Sequence, residues 1–361
     1  MLARIIARSM SPERPPDPPL PPLDTQAWDA AFEQAFAPRE TGGESVLERL
    51  TGDSARVLLR DPGGDEAPPL LPSGGTTRHG RYRILGEIAR GGVGIVLRGR
   101  DMDLGRDLAM KVLRDDHAGN AELTQRFVEE AQIGGQLQHP GIVPVYELGV
   151  DDERRPYFTM KLVHGDTLAR LLERRGAPAE DRTRFLRIFE RVCDAVGYAH
   201  ARGVVHRDLK PANVLVGSFG EVQVVDWGFA KVLTRGGVAD EASVHRDRRD
   251  AVLVATVRSG PGGMESQIGS VMGTPSYMPP EQARGDVDAL DERTDVFALG
   301  AILCEILTGK PPYVGENLAQ TAIRARNADL VDALERLDAC GADEALVALA
   351  RRCLSVDPAG R

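Results

Sequence analysis

The sequence predicts an α+β chain of two lobes, a small β-rich one carrying a single key helix and a larger helical one after it. Three observations carry that prediction. Between Tyr82 and Leu162, short apolar runs are broken by Gly, Pro and charged residues, as strands joined by turns would be. Beyond His164 the apolar residues recur at helical spacing, as in Phe185–Ala199 and Asp295–Leu307. Within that second part lies His206-Arg207-Asp208-Leu209-Lys210-Pro211-Ala212-Asn213, where a carboxylate, a lysine and an amide share one short loop.

Composition bounds the reading. The chain has 361 residues, 42% of them hydrophobic, enough for a two-lobed domain with a sizeable core plus an extension. A net charge of −9 and a pI near 5.4 advertise no basic face, so no nucleic-acid partner is expected. No apolar run reaches membrane-spanning length, and that in Met1–Met10 is too short for a secretory signal. A cytoplasmic chain without a membrane span is the expectation. Cys193, Cys304, Cys340 and Cys353 lack metal-ligand spacing, and three fall in apolar, helix-like surroundings, which predicts buried reduced thiols. Of the 45 Lys and Arg residues, only Lys111, Lys161, Lys210, Lys231 and Lys310 are lysine. In such a chain a lysine hints at a place where a compact ammonium serves and a planar fork does not.

In chain order, residues 1–80 read as a Pro-rich, largely disordered N-terminal extension. Pro15-Pro16-Asp17-Pro18-Pro19-Leu20-Pro21-Pro22 favours an extended chain. Trp28–Phe36 has the pattern of a short amphipathic helix, with Trp28, Phe32, Ala35 and Phe36 on one side, and Ser45–Leu50 that of another. Pro68, Pro69, Pro72, Gly74 and Gly75 read as a linker. A first lobe over 81–160 follows. Tyr82–Ile88 and Ile95–Leu97 read as strands joined by Gly91-Gly92-Val93-Gly94, whose backbone N–H groups a phosphate can approach without side chains in the way. Leu108–Val112 reads as an apolar strand with one lysine, Lys111, which needs an acidic partner if buried. Leu123–Leu137 is helix-like, contains Glu129 and Glu130, and is interrupted by Gly134-Gly135, where close packing against a neighbour is the expected reason. Val143–Leu148 and Tyr157–Leu162 are further strands, and Val163-His164-Gly165-Asp166 a hinge. The second lobe spans 164–361, its final helix expected beyond the end of the chain. Phe185–Ala199 is helical; Glu221–Asp226 is a strand ending in an acid, followed by Trp227-Gly228. Residues 231–270 read as a polar loop or insertion, Asp295–Leu307 as the buried spine, and Leu346–Leu354 as a last helix.

The 206–213 loop suits chemistry on a phosphate. Asp208 takes a hydroxyl proton, Asn213 offers an oxygen to Mg²⁺, and Lys210 balances phosphate charge. Asp226, at a strand end beside a glycine, fits a second metal ligand.

Taken in order, these motifs resemble the eukaryotic-like (Hanks-type) Ser/Thr protein kinases over residues 81–361. The resemblance implies the two-lobed protein kinase fold, with ATP and Mg²⁺ (Mn²⁺ as the alternative ion) in the cleft. It implies a phosphate loop over Ile88, Ala89, Arg90, Gly91, Gly92, Val93 and Gly94, with Ala89 standing where the family's first glycine would be. Lys111 matches the lysine on the α/β-phosphates, and of the two glutamates the resemblance selects Glu130 as its partner. Val96, Ala109 and Leu215 would sandwich adenine, with Met160 as gatekeeper and Leu162 in the hinge. Asp208 matches the catalytic aspartate, Lys210 the γ-phosphate lysine, and Asn213 and Asp226 the metal ligands. Asp295 would support the catalytic loop, Arg361 would pair with Glu281, and Thr274 would bond Asp208. Trp227 replaces the family's phenylalanine. Lys210 together with Gly273-Thr274 is the Ser/Thr pattern, and Gln136–Tyr146 resembles the bacterial branch. The function so implied is transfer of the ATP γ-phosphate to Ser or Thr hydroxyls of protein substrates, autophosphorylation included. Arg207 beside Asp208 suggests control by a phosphate, with Ser266 and Ser270 as candidate acceptors. The alternatives are a nucleotide-binding scaffold without turnover and a kinase-fold enzyme acting on small molecules.

Overall fold

The apolar runs of the first lobe assemble into one antiparallel sheet in the computed structural model, which describes residues 78–79, 81–117, 120–151, 153–233, 273–286 and 289–361. Strands β1 (Arg78–His79), β2 (Tyr82–Arg90), β3 (Gly94–Asp101), β4 (Arg106–Leu113), β5 (Val145–Val150) and β6 (Pro156–Lys161) lie in the order β1-β2-β3-β4-β6-β5. Alternation along β4 explains both faces. Leu108, Met110 and Val112 pack with Tyr82 and Tyr157. Leu113, on the other face, packs with Phe127, Ala131 and Phe158. Lys111 shares the face of Leu113 and is thereby turned toward helix α1 (Ala121–Gln136).

Asn120 starts α1 by accepting the N–H of Leu123 at 3.1 Å. The helix is not interrupted at Gly134-Gly135 but runs through both. Gly134 is there for space: a Cβ would come within 2.8 Å of the Val145 side chain. Gly135 is exposed, with nothing within 4 Å of such a Cβ, so the packing explanation holds for one glycine of the pair only.

The second lobe is organised by helix. Its elements are β7 (Gly165–Thr167), α2 (Leu168–Glu173), α3 (Arg182–Ala201), β8 (Val204–Val205), β9 (Val214–Gly217), β10 (Val222–Val224), β11 (Lys231–Val232), α4 (Pro280–Arg284), α5 (Glu292–Thr308), α6 (Leu318–Arg326), α7 (Val331–Ala339) and α8 (Glu344–Cys353). Helix α5 is apolar all round because it sits between two clusters. Ala298, Ile302 and Ile306 join the α3 side. Phe297, Ala301, Leu303, Cys304 and Leu307 join the α7–α8 side.

Three sequence readings change here. Gly165-Asp166 is not a bare hinge: β7 pairs antiparallel with β9, fastening the start of the lobe to the strand before the 217–221 turn. The strand read as Glu221–Asp226 stops at Val224, and Asp226 lies beyond it with φ of 66°. Of the four cysteines, all free, only Cys304 is buried; Cys193, Cys340 and Cys353 are half-buried. The Pro-rich stretch, the Trp28–Phe36 and Ser45–Leu50 segments, Ser266, Ser270 and most of the 231–270 loop lie outside the described residues. Among the described residues no helix is long and apolar enough to cross a membrane.

Candidate active site

Lys111 is where the two lobes meet. Its Nζ donates to both Glu130 oxygens, at 2.5 and 2.7 Å, and lies 3.8 Å from Asp226 Oδ1. β4 supplies the lysine, α1 the glutamate, and the stretch after β10 the aspartate. Burial alone would lower the lysine's pKa, but the Glu130 and Asp226 carboxylates outweigh it and raise it, so the ammonium stays charged. Burial and Asp226 push the Glu130 carboxyl up, and the Lys111 charge opposes them. At these distances the two form an ion pair. The arrangement depends on Gly228, where a Cβ would stand 2.9 Å from Glu130 Oε2.

The 206–213 loop is held from four sides. Asp208, buried, has both oxygens occupied. Oδ1 accepts the N–H of Thr274 at 2.9 Å and its hydroxyl at 3.0 Å. Oδ2 accepts from Lys210 Nζ at 2.6 Å and from Asn213 Nδ2 at 3.3 Å. Lys210 also donates to Thr274 Oγ1 at 2.7 Å. The Asn213 amide nitrogen is further committed to the Asp208 carbonyl at 2.9 Å, so its oxygen is the end that keeps lone pairs to offer. Below the loop, Asp295 of α5 accepts the backbone N–H of His206 at 2.7 Å, that of Arg207 at 2.9 Å, and His200 Nε2 at 2.8 Å. Burial would push the Asp295 carboxyl up, but the hydrogen bonds from His200 and from the His206 backbone hold it below the ordinary carboxylate value. His206 accepts the Asp208 N–H on Nδ1 at 3.3 Å and turns Nε2 to the Val225 carbonyl at 3.1 Å, which ties the loop to the stretch after β10. Its ring lies 4.6 Å from that of Trp227, which is buried and has no partner for its Nε1 among the described residues.

Two non-glycine residues of the site, Arg207 and Asp226, have left-handed backbones, each with φ of 66°. Such conformations persist where surrounding contacts over-determine them, and they collect at functional sites. Arg207 is half-buried; its Nε donates to the Phe229 carbonyl at 2.6 Å, and its own carbonyl accepts from Gln282 Nε2 at 2.8 Å. Glu281 of α4 and Arg361 form a two-pronged pair at 2.5 and 2.9 Å.

The other candidate residues fall around this centre. Ile88, Ala89 and Arg90 end β2, exposed, and Gly91, Gly92 and Val93 make the turn into β3. The Gly91 N–H closes the turn on the Gly94 carbonyl at 2.9 Å, while Arg114 and His117 hold the carbonyls of Gly91 and Gly92. A Cβ on Gly94 would meet the Val112 carbonyl at 3.0 Å and the Lys111 side chain at 3.3 Å, so the turn reaches the lysine only over glycine. Val96 pairs in register with Lys111, and Ala109 with Met160. Leu162 follows β6, and Leu215 comes from β9 of the other lobe, half-buried. The chain thus offers two ammonium groups, three carboxylates, an amide oxygen and a glycine turn, a donor set of hard oxygens and cations that fits a nucleotide phosphate tail with a divalent metal.

Sequence reasoning did not single out His200 or Gln282, and it noted Gly228 only as the glycine beside Asp226. His200 closes the last turn of α3 and carries no motif of its own; Gln282 follows a recognisable glutamate without sharing its pattern.

Residues 82–361 match the protein kinase domain model. The chain is 41% identical over 246 residues to the serine/threonine-protein kinase PknD of Chlamydia trachomatis serovar D, covering 64% of this chain and 25% of that protein. It is 32% identical over 287 residues to PknD of Protochlamydia amoebophila, covering 76% of this chain and 28% of that protein. Against the serine/threonine-protein kinase PknB of Mycobacterium leprae it is 34% identical over 284 residues, covering 78% and 40% respectively. The chain therefore spans only a quarter to two fifths of the length of these curated relatives.

Proposed function

The chain belongs to the protein kinase domain family, and on that premise we propose that residues 81–361 transfer the ATP γ-phosphate to Ser or Thr hydroxyls of proteins, its own among them. The observation that carries the reading is the bridge through Lys111, which brings Glu130 of one lobe and Asp226 of the other to one ammonium, beside a loop that presents Asp208, Lys210 and Asn213. Its relatives' names, serine/threonine-protein kinase, support the same acceptor class.

The roles are those the family resemblance implies, and the geometry supports them. Lys111, fixed by Glu130, positions the α/β-phosphates, and the Gly91–Gly94 turn offers backbone N–H groups above them. Val96, Ala109 and Leu215 close on adenine, with Met160 and Leu162 at its edge. Asn213 Oδ1 and the Asp226 carboxylate would hold the family's divalent metal, Mg²⁺ being the ion that small hard-oxygen sites suit. When bound, the metal neutralises charge on the transferring phosphoryl oxygens. Asp208 orients the acceptor hydroxyl and takes its proton as the new O–P bond forms and the bond to the departing ADP oxygen breaks. Lys210, held between Asp208 and Thr274, would balance the charge of the γ-phosphate. A domain that consumes ATP works where ATP is held, so we assign this one to the cytoplasmic side.

The deciding experiment is Asp208→Asn, assayed with radiolabelled ATP and a generic basic protein substrate. Transfer falls on the order of 10²–10⁴-fold or disappears, while ATP binding by calorimetry is largely kept. Retained transfer rules out Asp208 as the base. Mass spectrometry of the wild-type chain after incubation with Mg-ATP reads activity and autophosphorylated positions together.

A further inference from the structure

A cavity of about 730 Å³ opens away from the site just described, between the first turns of α3 and the turn joining β9 to β10. It lies at the opposite end of α3 from the 206–213 loop, and a helix of that length spans about 30 Å. Its walls carry Arg182, Arg184, Arg187 and Arg191 against a single carboxylate, Asp181. Arg182 is tied down, donating to the carbonyls of Cys340 and Gly341 at 3.1 Å. Arg184, Arg187 and Arg191 are exposed, stand at i, i+3 and i+7 on one stripe of the helix, and pair with no carboxylate among the described residues. The floor between them is apolar, made of buried Ile188, Val216 and Val222. At the tip of the neighbouring turn Phe219 is 84% exposed. Cationic groups around an apolar floor, with an uncovered aromatic at the rim, fit an acidic amphipathic helix.

We propose that this groove docks the segment Asp24–Phe36 of the chain's own N-terminal extension. That segment carries Asp24, Asp29 and Glu33 and no basic residue. In a helix Asp29 and Glu33 form one stripe, and Trp28, Phe32 and Phe36 form the next, so acids meet the arginines as aromatics meet the floor and Phe219. A helix this short is marginal in water by itself and needs a surface to cover its apolar side. Residues 37–77, up to the fixed strand β1, are the tether. Treated as a flexible chain they have an end-to-end distance of roughly 35 Å, against a diameter on the order of 50 Å for a domain of this size. The segment therefore reaches the groove at an effective concentration in the millimolar range, an advantage that an acidic segment of another protein lacks.

The test uses the full chain and its two tryptophans, Trp28 and the buried Trp227. A Trp28→Phe chain supplies the Trp227 background, and acrylamide quenching reads the shielding of Trp28. Trp28 is expected to be shielded several-fold relative to the denatured chain. Arg187→Glu/Arg191→Glu abolishes the shielding, and so does Asp29→Arg/Glu33→Arg, which leaves the folded domain untouched. Combining the two charge reversals restores it, and about 0.5 M NaCl weakens it in the wild type. Three results overturn the proposal: a wild-type Trp28 as accessible as in denaturant, shielding that neither reversal changes or that the combination fails to restore, and shielding that rises with protein concentration, which would make the occupant a second copy.

Discussion

Replacing Asp295 by asparagine tests how the catalytic loop is held. The carboxylate is 1% exposed and accepts three N–H groups at 2.7–2.9 Å. Asparagine has the same shape but one oxygen fewer, so its amide nitrogen must face a donor. Turned toward Arg207 it orphans one backbone N–H; turned the other way it orphans the His206 N–H and loses His200. An unsatisfied buried donor costs about 1–3 kcal/mol, and a bond to a charged acceptor is worth about 1.5–3 kcal/mol. A loss of roughly 2–4 kcal/mol follows, which for a domain of this size lowers Tm by about 5–15 °C. The loop should also lose its aim. Arg207 keeps a left-handed backbone with φ of 66°, and without the acceptor on its N–H that strain relaxes and moves Asp208. A displacement of about 1 Å costs on the order of 10²-fold in rate. Thermal unfolding by circular dichroism and steady-state transfer at saturating ATP measure the two effects. The pH dependence has a definite sign. Asp295 is held below its unfolded value, so its stabilisation is complete above the unfolded carboxylate pKa of about 3.9 and is lost as pH falls through the folded one. The Tm deficit of the variant should therefore be steady near neutral pH and shrink below about pH 4. A variant melting within about 1 °C of wild type, with unchanged kcat, would refute the reasoning.

Other consequences are open to the same instruments. Glu130→Ala leaves the buried Lys111 ammonium with Asp226 alone at 3.8 Å; breaking such a pair costs about 3–5 kcal/mol, and kcat/KM for ATP should drop on the order of 10²-fold or more. Gly135→Ala should stabilise by up to about 1 kcal/mol, since it adds helix propensity in open space. Gly134→Ala should destabilise because Val145 stands 2.8 Å from the new methyl; equal melting points for the two would dispose of the packing argument. Arg361→Ala strands Glu281 at an ion pair whose side chains are 0% and 8% exposed. A loss of about 3–5 kcal/mol is expected, and Glu281→Gln in the same chain should recover part of it.

Much of this molecule is legible in the order of its residues. Short apolar runs between turn residues in 82–162, around one helix-like stretch, and helical spacing beyond 164 set the two lobes, because local backbone geometry repeats with fixed periods and burial selects for them. The spacing of Asp208, Lys210 and Asn213 is likewise a local quantity, readable without knowing what lies across from the loop. What the order of residues could not carry is contact between distant parts. Nothing in the chain marks His200 as a partner of Asp295, nor Gly228 as the position whose missing Cβ admits the Glu130 carboxylate. The left-handed backbone of Arg207 is similarly invisible, since arginine does not favour that conformation and packing imposes it; Asp226 is of a type that tolerates it, but nothing in the sequence says that it does so here. Local propensity acts over a few residues, whereas these features arise only when groups separated by scores of positions are forced into one buried volume and must satisfy each other's hydrogen bonds.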